Sequence, residues 1–148
     1  MSTPYATASS GHKARDEITK LLCRFGCESV GFMDDFEKHE VLLAFKHRGR
    51  SLQLRASAKG WAQLHLRTKP WTERMRSHTR HEYEQAALRQ GHIAVNSILR
   101  DWIKGQLTAV ECGMLSFEAV FMPYLITNDG RPLFERLRET KLLPPEAA

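Results

Sequence analysis

Ten basic side chains crowd the stretch from residue 46 to residue 80, and their most direct chemistry is binding to phosphate oxygens. The stretch contains one acid, Glu73, and ten basic residues: Lys46, Arg48, Arg50, Arg55, Lys59, Arg67, Lys69, Arg74, Arg76 and Arg80. A block of like charge repels itself, so a polyanion that neutralises it is the natural partner. Seven of the ten are arginines, which donate forked hydrogen bonds to phosphate. The pattern predicts a nucleic-acid-binding surface, with a solvated basic face that has no specific partner as the alternative.

Two tryptophans, Trp61 and Trp71, are interleaved with these cations. Aromatic side chains beside cations are the platforms on which unpaired bases stack. Both indoles are therefore predicted to contact nucleic acid, as a second contribution after the phosphate contacts, and DNA is favoured over RNA. The alternative for each indole is a place over the sheet, with arginine stems lying along it.

A second chemistry, hydrolysis of nucleic acid with Mg²⁺, depends on the acids at the end of the first predicted strand. The order of a helix, three strands and a helix resembles the start of the restriction-endonuclease-like core, in which an Asp and a later acid-x-Lys pair hold the metal and position water. Asp34 or Asp35 could supply the first acid, but Gln53-Leu54-Arg55 stands where the pair should be. An active or degenerate nuclease is therefore the third candidate function, and no catalytic residue is assigned.

The remaining metal-binding and nucleophilic residue types form no recognised motif. His78 and His81 lie three residues apart on a predicted helix, but without a His-Glu-x-x-His pattern and in the most cationic part of the chain. Cys23, Cys27 and Cys112 are an odd set, which argues against a disulfide framework and for a reducing compartment. No P-loop, nucleophile elbow or dinucleotide fingerprint occurs. We predict no metal and no cofactor.

Hydrophobic periodicity predicts the elements that carry these residues. An apolar stripe of helical period predicts a first helix over residues 13–25. Alternating runs predict strands at Ser29–Met33, Glu40–Lys46 and Ser51–Ser57, with a basic hairpin tip at His47-Arg48-Gly49-Arg50. A short helix over Trp61–Leu66, a long helix that begins near Thr72, and two further short helices complete the chain.

These elements predict an α+β fold, in which a three-stranded antiparallel meander packs against several helices, one of them long. A single domain over residues 12–143 is expected, between a disordered arm over residues 1–11 and a disordered tail over residues 144–148. The hairpin tip and the basic start of the long helix are expected to form one basic rim.

The last third of the chain carries a resemblance. Residues 109–125, Ala-Val-Glu-Cys-Gly-Met-Leu-Ser-Phe-Glu-Ala-Val-Phe-Met-Pro-Tyr-Leu, are followed by Asn128-Asp-Gly-Arg-Pro132. This pattern of helix, turn and helix, together with the basic-then-apolar helix before it, is similar to a segment of small, largely uncharacterised phage and prophage proteins. The similarity covers residues 85–140 at most. It implies an origin in a mobile element and carries no catalytic residues with it.

The leading hypothesis from the sequence is therefore a nucleic-acid-binding protein of phage or prophage origin. The alternative from another class is a protein-interaction module or inhibitor that docks on a nucleic-acid enzyme. No run approaches the roughly 18 apolar residues that a membrane span needs, and the N-terminus has no apolar signal region. A cytoplasmic location without membrane contact is expected.

Overall fold

The computed structural model describes residues 3–9 and 11–147, and it confirms the predicted α+β class. The elements in chain order are α1 (Gly11–Phe25), β1 (Ser29–Asp35), β2 (Glu40–His47), β3 (Arg50–Ser57), α2 (Ala58–Thr68), α3 (Arg80–Glu111), α4 (Phe117–Phe121), a 3₁₀ turn (Met122–Tyr124) and α5 (Leu133–Glu139).

The three strands form an antiparallel meander in the order β1-β2-β3. Val41 and Leu43 of β2 pair with Ala56 and Leu54 of β3. Directly paired residues share a face of the sheet, so this buried face packs against the helices while the intervening residues form an open outer face. The tip of the β2–β3 hairpin needs left-handed backbone, with Arg48 at φ +50° and Gly49 at φ +78°.

Helix α3 is the longest helix described, with 32 residues and a length of about 48 Å, and it packs against both α1 and α2. Its first half packs antiparallel to α2, with Gly91 against the carbonyl of Ala58. Its second half runs parallel to α1, where Asn96 lies beside Gly11 and Arg100 approaches Glu17 at 3.7 Å. The two ends of α3 therefore meet different parts of the molecule: the α2–α3 connection at one end, the sheet and α1 at the other.

The long helix begins at Arg80, later than the predicted start near Thr72. Thr79 caps it, because its side-chain hydroxyl accepts a hydrogen bond from the backbone N–H of Glu82 at 3.2 Å. Thr79 and Glu82 are spaced as in a capping box, which is a sequence signal for the start of a helix. This signal favours a helix start at Arg80 over the predicted start near Thr72. Arg74 and Arg76 consequently lie in an irregular connection and not on the first turns of a helix.

Residues 3–9 differ from the predicted disordered arm, because they lie against α2 and α3. Thr3 is only 5% exposed, and its hydroxyl lies 2.9 Å from Nδ1 of His65. The hydroxyl of Tyr5 donates to Asp101 at 2.5 Å, and the amide of Gln90 donates to the carbonyl of Ala8 at 2.9 Å. Local pattern could not reveal these contacts, since the partners are 62 to 96 residues away in the chain. Residues 144–147 form no helix or strand.

Candidate nucleic-acid interface

Nine of the twelve predicted binding residues fall into two groups at opposite ends of α3. From here on, the hairpin tip means residues 46–50, which adds Lys46 to the predicted tip at residues 47–50. It carries Lys46, Arg48 and Arg50. We call residues 67–80 the α2–α3 connection; it carries Arg67, Lys69, Trp71, Arg74, Arg76 and Arg80. Arg48 and Arg50 line a cavity with Val110, which follows Arg80 by 30 residues of the same helix, or about 45 Å. The prediction of one continuous basic rim is therefore wrong.

Three of the predicted residues, Arg55, Lys59 and Trp61, belong to neither group. Arg55 lies on the open outer face of the sheet, opposite Leu42 in the strand register. Lys59 is exposed in the first turn of α2, and its backbone N–H donates to the carbonyl of His39 at 3.3 Å. The structure thus spreads the ten predicted cations over four separate places.

The α2–α3 connection holds four exposed cations without an ion-pair partner among residues 3–9 and 11–147. Arg67, Lys69, Arg74 and Arg76 make no ion pair with any residue that the structure describes. Arg80 pairs with Glu84 one turn along the helix, at 3.1 Å, and its side chain remains 73% exposed. An incoming anion would therefore meet Arg67, Lys69, Arg74 and Arg76 without first breaking an ion pair to any described residue.

Acids accompany the cations at the hairpin tip. The carboxylate of Glu28 accepts a hydrogen bond from the backbone N–H of Gly49 at 2.9 Å. Glu118 lines the same cavity as Arg48 and Arg50. The net positive field at this end of α3 is consequently weaker than at the connection.

The two tryptophans have different surroundings. Trp61 is 7% exposed, donates through Nε1 to the carbonyl of Pro4 at 2.9 Å, and stacks on His65 with ring centroids 5.1 Å apart. Its indole belongs to the core and leaves no face for a base, which corrects the stacking prediction. Trp71 is half-buried in the connection, and its Nε1 donates to the carbonyl of His78 at 3.1 Å. That hydrogen bond links an early residue of the connection to a late one.

A cavity of about 420 Å³ lies between the connection and the facing parts of α2 and α3. Its lining is mostly apolar and aromatic and consists of His65, Met75, Ser77, His78, Tyr83, Ala86, Ala87 and Gln90. Burial, with a smaller effect from Lys69, lowers the pKa of His65, so its ring is neutral at pH 7. Sequence reasoning missed this cavity; the adjacent small residues Ala86 and Ala87 were its only local signal.

The residues proposed for a nuclease come together only in part: Asp35 shares the outer face of the sheet with Gln53 and Arg55, but its carboxylate accepts hydrogen bonds from the backbone N–H groups of Glu37 and Lys38. Asp34 pairs in register with Val41 and so lies on the helix-facing side of the sheet, while Arg55 lies on the opposite side. Asp34 is also held by Arg15, whose guanidinium contacts its carboxylate at 2.6 Å. Within residues 3–9 and 11–147, no group of three or more His, Cys, Asp or Glu side chains could hold a metal ion.

Asp34 instead belongs to a polar pocket of about 350 Å³ between α1, α3 and the end of β1. Arg15 donates to the amide oxygen of Asn96 at 2.8 Å as well as to Asp34. Both ring nitrogens of His92 are buried and have no hydrogen-bond partner among the described residues, and Nδ1 lies 3.9 Å from Asp34. Burial lowers the pKa of His92, although the charge of Asp34 opposes the shift. The sequence pattern gave no sign of this cluster.

Comparisons with protein-family models, curated proteins and solved structures found no match for this chain. Among the helices described, none combines the length and the apolar character that crossing a bilayer requires. The α2–α3 connection and the hairpin tip carry eight of the ten predicted cations, all of them exposed.

Proposed function

We propose that this protein binds nucleic acid, with the α2–α3 connection as its principal contact to the phosphate backbone. The observation that carries the proposal is the concentration of exposed cations there, four of which (Arg67, Lys69, Arg74 and Arg76) make no ion pair with the residues that the structure describes. Phosphate contacts of this kind release condensed counterions, which supplies affinity without regard to sequence. Arginine suits the task because its planar fork of donors matches phosphate oxygens.

The hairpin tip is a second contact on the same ligand only when the ligand is long enough. Its separation from the connection, about 45 Å along α3, corresponds to about 13 base pairs of duplex at a rise of 3.4 Å. A shorter duplex can therefore touch one of the two surfaces but not both. We expect a duplex of about 30 base pairs to bind more tightly than one of about 10 base pairs. The gain should exceed the increase in the number of positions at which the protein can bind the longer duplex.

The test is a fluorescence-anisotropy titration of labelled oligonucleotide at several salt concentrations. Replacing Arg74 and Arg76 together with alanine should weaken binding and make the plot of log affinity against log salt shallower by about 1.4–1.8. The control replaces two exposed lysines far from the connection, Lys104 and Lys141, and removes the same charge. Equal loss in both double variants would mean that net charge alone, and not this surface, accounts for the binding.

A protein-interaction module is favoured by a different observation, the exposed apolar residues at the end of β1. Met33 is 62% exposed and Phe36 is 73% exposed. Exposed apolar side chains of this size mark contact surfaces when they are contiguous. Capture of a partner from a nuclease-treated lysate, lost on Phe36→Ser, would favour this function, whereas capture that needs intact nucleic acid would favour the first. Phage or prophage origin stays a prediction.

A further inference from the structure

We infer that the cavity beneath the α2–α3 connection accepts an unstacked nucleobase, so that single-stranded nucleic acid is the preferred ligand. This inference rests on the proposed function and names its ligand class. The cavity volume, about 420 Å³, lies within the usual range for small-molecule sites, roughly 300–1,000 Å³. A single base with its sugar fits a space of that size.

The aromatic walls of the cavity are held in place before any ligand arrives. The ring of His65 lies parallel to Trp61, with an interplanar angle of 10°, and Nδ1 is 2.9 Å from the hydroxyl of Thr3. Tyr83 is anchored from the other side, since its hydroxyl donates to the carbonyl of Lys69 at 2.5 Å. Fixed rings lose little conformational entropy on binding, and every base offers a flat face to such rings.

Charge selects the occupant of this apolar space. Met75 lines the cavity and stands between Arg74 and Arg76, which are both exposed. A base that contacts Met75 would therefore place the phosphates on either side of it near these two guanidinium groups. An uncharged apolar ligand or an apolar peptide would fill the cavity but leave the cations unused, so a nucleotide strand matches both features together.

Duplex ligands are disfavoured by the same geometry. A paired base must leave its stack to enter the cavity, and unstacking opposes binding, whereas an unpaired base enters without that cost. The phosphate contacts alone would favour the duplex, because its two backbones give it the higher charge density. A preference for single strands would therefore originate in the cavity and not in the cations.

The experiment compares wild type with Ala86→Phe, which fills the cavity from α3 and leaves every cation in place. Its control is Ala119→Phe, the same change at an exposed position on α4. Three labelled probes are titrated: a thymidine oligonucleotide of about 12 nucleotides, an abasic oligonucleotide of the same length, and a duplex of about 12 base pairs. The abasic probe keeps the phosphates and tests the base contact on unaltered protein.

The thymidine oligonucleotide should bind wild type roughly 5- to 150-fold more tightly than the abasic one, as expected for about 1–3 kcal/mol per stacked base. Ala86→Phe should abolish that difference, and Ala119→Phe should keep it. Equal affinity of wild type for all three probes would overturn the inference while the proposed function stands. A difference that survives Ala86→Phe would also overturn it, by placing the base elsewhere. Absence of binding to every probe would overturn both.

Discussion

The contact between Gly91 of α3 and the start of α2 gives a prediction that needs no ligand. Gly91 of α3 packs on the start of α2, and a Cβ atom built there would lie 2.6 Å from the carbonyl oxygen of Ala58. That is roughly 1 Å inside the separation of an optimal non-bonded contact. Since the obstacle is backbone and not a flexible side chain, α2 and α3 must move apart to accept Gly91→Ala.

The magnitude follows from two opposed effects. Alanine favours a helix over glycine by about 1 kcal/mol, whereas overpacking of a tight contact costs about 1–3 kcal/mol. We expect Gly91→Ala to lower the free energy of unfolding by about 1–2 kcal/mol, because the contact lies at the upper end of that range. Gly105→Ala on the same helix meets nothing within 4 Å and should raise it by about 0.5–1 kcal/mol.

Urea denaturation of the two variants beside wild type measures both changes on one scale. The identical substitution at exposed Gly105 cancels the helix-propensity effect and isolates the contact with Ala58. A Gly91→Ala variant as stable as wild type, or more stable, would refute the close approach of α2 and α3. It would also weaken the case for a preformed cavity, because the same helix spacing determines its width.

Three further outcomes are expected. Leu54→Ala and Leu99→Ala should each lower the free energy of unfolding by about 2–5 kcal/mol, since both side chains are buried. Melting curves identical to that of wild type would mean that these two side chains do not face the core. Burial lowers the pKa of His92 in the folded protein below the ordinary 6.5, so as the pH falls the unfolded chain binds this proton before the folded one does. The melting temperature should therefore fall as the pH drops below about 6.5. The His92→Gln variant should show a smaller fall. Burial raises the pKa of Cys27 to about 11, so at pH 8 it should be alkylated far more slowly than exposed Cys112, as peptide mass spectrometry would show; equal rates would contradict its burial.

Much of the fold could be predicted because its signals are local. The apolar stripe of α1 and the alternation of β2 and β3 depend on neighbouring residues, and the strand limits predicted from them differ from the observed ones by two residues or fewer. The start of α3 was misplaced although the capping spacing of Thr79 and Glu82 was present, because the basic residues Arg74 and Arg76 were taken as the first turns of a helix that begins near Thr72.

The arrangement of the candidate site could not be predicted, because it depends on contacts between distant parts of the chain. The basic residues are close in sequence, yet a helix of 32 residues separates the hairpin tip from the α2–α3 connection. Trp61 looked like a surface platform among cations, but a carbonyl of the N-terminal segment, at Pro4, accepts its N–H and completes its burial. Periodicity carries no information about either relation.

The most direct test of the central claim compares the two basic surfaces on one ligand. Salt titrations with a single strand of about 6 nucleotides, too short to reach both ends of α3 even when fully extended, would be run on wild type, on Arg74→Ala with Arg76→Ala, and on Arg48→Ala with Arg50→Ala. We predict that the first double variant makes the slope of log affinity against log salt shallower by about 1.4, and that the second leaves it nearly unchanged. The reverse order, or no change in either variant, would contradict the assignment of the α2–α3 connection as the nucleic-acid interface.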